Sequence, residues 1–445
     1  MLWPDDLWPQ EIGALAVLDG GCLFDPSGRL RIEAVRQRID ARLHLVPRFR
    51  QLLHVPRRGL GRPLWVDAAA FDLSDHVQVL PIPGPGDETQ LLRVTEELRC
   101  RRLDRSRPLW EMWFLPGLPD GRVGLFVKMH HAIADGIAGV AAIGAFLDAV
   151  PDAPAGSRQP WTPAPFPPAR ALFADNVQRH VDGLGRALST LAHPGFGLRQ
   201  VRTAWPAVRD LLAEQPPPAT SLDRVVGPDR SLAVVRSHLD LVKEVAHRHD
   251  AKVNDVLLAA TAGGLRELFR SRGEPLDILM PVYVPVTLRQ GSRARARGNM
   301  IGQMVVPLPL GVSDPGRRLE QIAAETSTRK AESHPSLGVL LRSRIARRAL
   351  LKVLDRRPVS VTTADVPGPP LPVYLAGARL LEVFPVIPLI SRVSLGVGAL
   401  SYADQFTIMA VADPDACPDL DTFATGVHGA LRALTESTSA GPHRR

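Results

Sequence analysis

Apolar and polar residues alternate with the period of a strand along one conspicuous stretch. Val123, Leu125, Val127 and Met129 lie between Arg122, Gly124, Phe126 and Lys128, which predicts a β-strand with one strongly buried face. The strand runs directly into His130-His131-Ala132-Ile133-Ala134-Asp135-Gly136. Ile137 to Val150 follows, with Ala, Ile and Val at helical spacing, so the histidines sit at a strand-to-helix junction. Further along, the pattern predicts helices over Lys252–Arg270 and Arg317–Glu332 and strands over Ile278–Leu288 and Ile301–Leu310. Mixed α/β is the resulting class. No short-period repeat is present, which argues against solenoids and propellers.

Proline divides the chain. Seven of the eighteen residues from Pro151 to Pro168 are proline, a stiff extended connector, so a first domain is expected over residues 1–150. Ala169 to Glu214 reads as largely helical, with Leu184, Leu188 and Leu191 on one face, a break at Pro194-Gly195 and an end at Pro216-Pro217-Pro218. The connector is therefore placed at 151–219 and a second α/β region at 220–436. Residues 437–445 form a Ser/Thr/Ala/Gly-rich tail expected to be flexible. One more segment stands out, Leu340 to Arg357. It carries Arg342, Arg344, Arg347, Arg348, Lys352, Arg356 and Arg357 among Leu340, Leu341, Ile345, Leu350, Leu351 and Leu354. Such a basic amphipathic helix can lie on an anionic membrane or lipid-droplet surface, or be a solvated helix that packs by its leucines.

Composition narrows the classes. With 445 residues, 45% hydrophobic and 22% charged, the chain can bury a large core, which excludes a disulfide-held miniature and wholesale disorder. The net charge is +8, but only five of the 54 basic residues are lysine. That arginine skew fits a GC-rich genome, and no aromatic-interleaved basic module points to nucleic acid. Cys22, Cys100 and Cys417 have neither disulfide nor metal-ligand spacing, which fits a reducing cytoplasm. The amino terminus, Met1 to Asp6, is acidic and unlike a signal peptide. The longest charge-free stretch, Gly298–Ser313, is broken by Gly298, Gly302, Pro307, Pro309 and Gly311, so no spanning helix is predicted and membrane contact would be peripheral.

The candidate chemistry lies in His130-His131-x-x-x-Asp135-Gly136. An imidazole with a reference pKa of about 6.5 can accept a proton while a hydroxyl attacks a carbonyl. His131 can thus serve as a general base without special tuning, with rate depending chiefly on alignment. Asp135, four residues on, can turn back beneath the histidine or pair with an arginine that fixes the loop, and Gly136 lets the chain bend into the helix. The pair can also be structural, capping a strand. Zinc would need a third ligand, and HExxH is absent, so no metal site is assigned. The lack of GxSxG and of a Walker A lysine excludes the corresponding hydrolase and nucleotide folds.

These seven residues resemble the HHxxxDG motif of the coenzyme A-dependent acyltransferases that include chloramphenicol acetyltransferase and nonribosomal condensation domains. Pro108-Leu109-Trp110-Glu111 and Val253-Asn254-Asp255-Val256 are similar to the PLW and ND motifs of one branch, the wax ester synthase/diacylglycerol acyltransferase family. Val46–Arg50, Pro285–Arg289, Gly298-Asn299 and Val366-Pro367-Gly368-Pro369 extend the likeness over most of the chain. Two departures stand out: Asp365 where the family usually has Asn, and Ala403-Asp404 where its Ser-Tyr-x-Gly segment has Gly.

The resemblance implies two chloramphenicol-acetyltransferase-like α/β halves with a tunnel between them. It also implies direct acyl transfer from acyl-CoA, a co-substrate rather than a bound cofactor, to diacylglycerol or a long-chain alcohol. His131 would be the base, His130 a positioning residue, and Asp135 and Gly136 organisers of the loop. Pro108, Leu109, Trp110, Asn254 and Asp255 would line the substrate site, although Trp110 reads equally as core and Asn254 as the cap of its helix. A condensation-type enzyme using carrier-protein thioesters and an inactive lipid-binding relative are the alternatives.

Overall fold

The computed structural model describes residues 8, 10–57, 60–133, 136–154, 156–192, 219–287, 301–332 and 359–439. Two six-stranded sheets organise them. In the first half, β1 (Glu11–Leu18), β4 (Val77–Val79), β5 (Trp110–Pro116) and β6 (Val123–His130) belong to one sheet, while β2 (Gln51–His54) and β3 (Leu64–Asp67) form a separate hairpin. The helices of this half are α1 (Ile32–Asp40), α2 (Glu88–Cys100) and α3 (Gly136–Gly144). α4 (Ala169–Ala192) follows the proline-rich connector, and the expected break at Pro194-Gly195 lies outside the described residues.

The second half contributes β7 (Ser231–His238), α5 (Leu239–Arg248), α6 (Val253–Ser271), β8 (Leu279–Thr287), β9 (Ile301–Pro309), α7 (Pro315–Glu332) and β10 (Val361–Pro367). β11 (Tyr374–Leu375), β12 (Ala378–Val386), β13 (Leu395–Tyr402), β14 (Gln405–Ala412) and α8 (Leu420–Ser439) complete it. The four elements predicted from periodicity in this region are present with ends shifted by at most two residues. In its sheet, order β7-β14-β13-β10-β8-β9, β10 runs parallel to β13 and β8 and the other pairs are antiparallel.

The halves are not consecutive in sequence. β11 and β12, inside the region expected to form the second half alone, join the first sheet, whose order is β11-β12-β1-β6-β5-β4. Leu15 of β1 lies opposite Phe384 of β12 on one side and Phe126 of β6 on the other. A latch fixes this crossing. Asp148 exchanges backbone hydrogen bonds of 2.8 and 2.9 Å with Tyr374, and its buried carboxylate is held by Arg38 at 2.8 Å and by Arg42.

The crossing also changes the expectation for β6. All eight of its residues are buried, so both faces are covered rather than one. Val123, Leu125, Val127 and Met129 face a core with Trp110, Phe114 and Phe146, whereas Phe126 faces α2 and, beyond it, Leu232, Met409 and Val411 of the second sheet. A strand covered on both faces reads as apolar on both, and here Phe126 and Gly124 occupy the positions that alternation had marked as outward. α3 is shorter than the helix predicted over Ile137–Val150, ending at Gly144 before the turn that delivers Asp148 to the latch.

Candidate active site

The histidine pair is built by the end of β6. His130 is its last residue and buried; its backbone N–H donates to Leu109 O at 2.9 Å. Its Nδ1 accepts from the Ala132 backbone N–H at 3.0 Å, so the ring proton of the neutral imidazole belongs on Nε2. Ile133 N–H returns to His130 O at 2.9 Å and closes a tight turn. His131 lies just beyond the strand, half-buried, with its backbone N–H donating to Gln10 O at 2.8 Å. One imidazole is therefore locked by the turn, while the next belongs to a half-buried residue whose backbone is pinned on the β1 side. Gly136 is the first residue of α3, and Asp135 lies outside the described residues.

A buried ionic cluster lies under this turn. Glu11 of β1 stands opposite His130 in the register and is 3% exposed. Its Oε2 is 3.7 Å from Lys128 Nζ and 3.8 Å from the Arg99 guanidinium, and its Oε1 accepts from Leu103 N–H at 3.0 Å. Lys128, fully enclosed, donates to the carbonyls of Leu98, at 3.0 Å, and Arg101, and lies 3.6 Å from Glu111. Burial pulls the Arg99 pKa down, opposed by the charge of Glu11. Charges this deep are tolerable only when paired, and here the ionic contacts stand in for hydrogen bonds that Glu11 Oε2 and the Arg99 Nε and Nη2 do not make among the described residues. The cluster joins the first residue of β1, β6 and the end of α2. Gln10, whose carbonyl holds His131, is thereby fixed by its neighbour.

Leu109 and Trp110 meet the histidines through the backbone and the core. Pro108 and Leu109 are buried, and the Leu109 carbonyl takes the His130 N–H. Trp110 is wholly enclosed, stacked between Phe49 (4.7 Å between centroids) and His76 (4.6 Å), with its Nε1–H donating to Phe49 O at 2.8 Å. His76 donates from Nδ1 to Trp110 O at 2.8 Å, and burial pulls its pKa below the usual value. Of the two readings of Trp110, the side chain occupies the core.

The Asn254-Asp255 pair lies in the first turn of α6. The helix cap is Lys252, not Asn254: the Asp255 carboxylate, at the third helical position, accepts from Lys252 N–H at 2.9 Å and from the Thr326 hydroxyl of α7 at 2.8 Å. Asp255 takes the reciprocal half of a capping box, which leaves the half-buried Asn254 amide without a hydrogen bond among the described residues. β10 touches both α6 and α3, so the two motif-bearing helices share one neighbouring strand. Among the described residues no group of three His, Cys, Asp or Glu side chains could hold a metal, and no helix is long and apolar enough to cross a membrane.

Residues 6–257 match the wax ester synthase/diacylglycerol acyltransferase catalytic domain, and residues 297–435 the C-terminal domain of the same enzymes. The chain belongs to the wax ester synthase/diacylglycerol acyltransferase family. It is 32% identical over 434 residues to a probable diacylglycerol O-acyltransferase of Mycobacterium tuberculosis, covering 95% of this chain and 90% of that one. In fold it is similar to the wax ester synthase/diacylglycerol acyltransferase of Marinobacter aquaeolei VT8, with a TM-score of 0.69, 22% identity and coverage of 97% and 96%. The starter condensation domain of rhizomide synthetase shares the fold at a TM-score of 0.60 and 13% identity, covering 97% and 90%. The family's catalytic domain extends past the proline-rich connector to the first turn of α6, so it includes both the histidine pair and Asn254.

Sequence reasoning overlooked Glu11, Arg99 and Lys128 as parts of the site. Lys128 alone carried a signal, a lysine inside an otherwise apolar strand two residues before the histidines.

Proposed function

We propose that this family member transfers a fatty acyl group from acyl-CoA to the hydroxyl of diacylglycerol, forming triacylglycerol, with long-chain alcohols as a second acceptor class that yields wax esters. The observation that carries the reading is the unequal histidine pair. His130 is buried and locked by its Nδ1 contact, and His131, half-buried at the end of the strand, has its backbone held by Gln10. His131 takes the acceptor's proton as its oxygen bonds to the thioester carbonyl carbon. Collapse of the tetrahedral intermediate breaks the C–S bond, and the imidazolium returns the proton to the departing coenzyme A sulfur. The ester and free coenzyme A leave, and no acyl-enzyme forms. Burial raises the pKa of all three thiols, Cys417 to about 12, which makes each a poor nucleophile and supports direct transfer.

Asp135 and Gly136 would order the turn, and Pro108, Leu109 and Trp110 would form the wall behind it. No resident cofactor is assigned; acyl-CoA enters as co-substrate. The chain would work in the cytoplasm at a membrane or lipid-droplet surface, with residues 340–357 as the basic contact; that segment lies outside the described residues. Purified protein incubated with palmitoyl-CoA and dipalmitoylglycerol or hexadecanol tests the reading. His131→Ala should lower product formation by about 10²–10⁴-fold. Equal rates would remove His131 from the mechanism, and no product from either acceptor with wild type would favour carrier-protein thioesters or an inactive lipid-binding chain. Flotation with anionic liposomes should weaken when Arg347 and Arg348 are replaced by Glu.

A further inference from the structure

Among the described residues, three polar side chains on β10 and in the first turn of α6 have no hydrogen-bond partner. The Thr363 hydroxyl is completely buried and has no hydrogen-bond partner among the described residues. Asp365, two residues on, is half-buried and its carboxyl likewise has no partner among the described residues. The Asn254 amide, in the first turn of α6, is the third. Alternation along β10 puts Thr363 and Asp365 on the face of Val361, which belongs to the core closed by α6. β10 packs on α6, and α6 runs into the antiparallel-returning β8, so the first turn of α6 lies at the end of the sheet where β8 and β10 finish.

The sheet opens at the same end. β10 and β8 pair only at Val361↔Val282 and Thr362↔Tyr283, while β10 continues with β13 to Pro367 and β8 continues with β9 to Thr287. Pro285 of β8 has no N–H to offer across the gap. Ligands in α/β folds enter where the carboxyl ends of parallel strands part, and unsatisfied buried polar groups call for a partner. The first-half side of this opening is α3, the helix that leaves the histidine turn, which also packs on β10.

We propose that Thr363, Asp365 and Asn254 form a subsite for the ester carbonyls of the acceptor's glycerol backbone, selecting acylglycerols over simple fatty alcohols. The inference rests on the acyl-transfer reading above and refines its acceptor. Thr363 offers a hydroxyl hydrogen, Asn254 an amide N–H and Asp365, when protonated, an O–H; an acylglycerol brings carbonyl oxygens that accept all three. A fatty alcohol brings one hydroxyl, which His131 engages, and leaves the three groups unpaired. Specificity of this kind is strong because the wrong ligand strands buried polar groups. Burial without a compensating charge pushes Asp365 up to about 6, and a bound carbonyl, by accepting from the neutral acid, raises it further.

The test is the ratio of kcat/KM for dipalmitoylglycerol to that for hexadecanol, both with palmitoyl-CoA. Thr363→Val and Asp365→Leu should each lower the ratio about tenfold, the loss of one hydrogen bond to a buried group. Asp365→Asn, which keeps a donor, should hold it within about threefold of wild type. An unchanged ratio in both Thr363→Val and Asp365→Leu overturns the subsite. Binding of a fluorescent diacylglycerol without acyl-CoA separates the two claims. Wild type that binds it but transfers to neither acceptor defeats the transfer reading alone, with weaker binding in both variants sustaining the subsite and equal binding overturning it. Circular dichroism of each variant identifies one that has failed to fold, and Asp365→Asn remains as the isosteric check.

Discussion

The two sheets treat buried polarity in opposite ways. Under the histidine turn, Lys128 lies 3.7 and 3.6 Å from the carboxylates of Glu11 and Glu111, and Arg99 lies 3.8 Å from that of Glu11. Opposite charges are thus paired even though Glu11 Oε2 and two Arg99 nitrogens lack a hydrogen bond among the described residues, and backbone carbonyls take lysine hydrogens. In the second sheet, Thr363 is as deeply buried and Asp365 half-buried, and neither side chain has a partner among the described residues. A paired cluster holds backbone in place, and the proposed subsite gives the unpaired groups a ligand to bind. On the proposed reading, the paired side carries His131 and the open side faces the acceptor.

Breaking the paired cluster should have the largest effect. Glu11→Ala leaves Arg99 buried without its carboxylate and Lys128 with only Glu111, and should cost about 3–5 kcal/mol of stability in urea unfolding. A loss below about 1 kcal/mol would mean the cluster is already hydrated and holds nothing.

The unpaired cluster should respond with the opposite sign. The folded-state pKa of Asp365, about 6, lies above the unfolded value near 3.9, so the folded chain binds this proton more tightly. Its stability contribution is intact below about pH 4 and is lost as pH rises through 6. Asp365→Asn, which does not titrate, should therefore stabilise the protein by up to about 3 kcal/mol at pH 8 and by nothing comparable at pH 4. Thermal unfolding at the two pH values checks this, and equal shifts at both would show that the carboxyl has a partner.

A third substitution asks whether the open side depends on close helix packing. Gly264 of α6 faces α8, where an added Cβ would lie 2.6 Å from Val427 Cγ2 and 2.8 Å from Phe423 O. Gly264→Ala should destabilise by about 1–3 kcal/mol through overpacking, read in the same unfolding assay. The smallest effect belongs to Thr363→Val. Removing a hydroxyl that makes no bond should change stability by less than about 1 kcal/mol, toward stabilisation. Marked destabilisation there would assign the hydroxyl a structural partner and remove the contrast between the sheets.

Much of the second half was legible because α6, α7, β8 and β9 each carry their own periodicity over nine residues or more. The histidine turn was legible for a related reason, since its residues are contiguous and sit between a strand pattern and a helix pattern. Asn254 was misread as a cap because cap preference is a local average, and a carboxylate one residue later captured the free amide instead. The covering of β6 on both faces was missed because one of its covers, the core around Phe384 and Met409, is supplied from far along the chain.

The amino-acid sequence by itself determined the α/β class, the elements of the second half, the strand-to-helix junction bearing His130 and His131, and a resemblance that the family match sustains. Those are properties of neighbours in sequence, where side-chain period and residue spacing act directly. Tertiary structure alone decided that residues 374–386 cross to complete the first sheet, that Glu11 meets Lys128 and Arg99, and that Thr363 and Asp365 are left unpaired where β8 and β10 part. Each of these depends on which distant backbone supplies the pairing partner, and pairing between strands is settled by burial of the whole sheet rather than by any local run of residues.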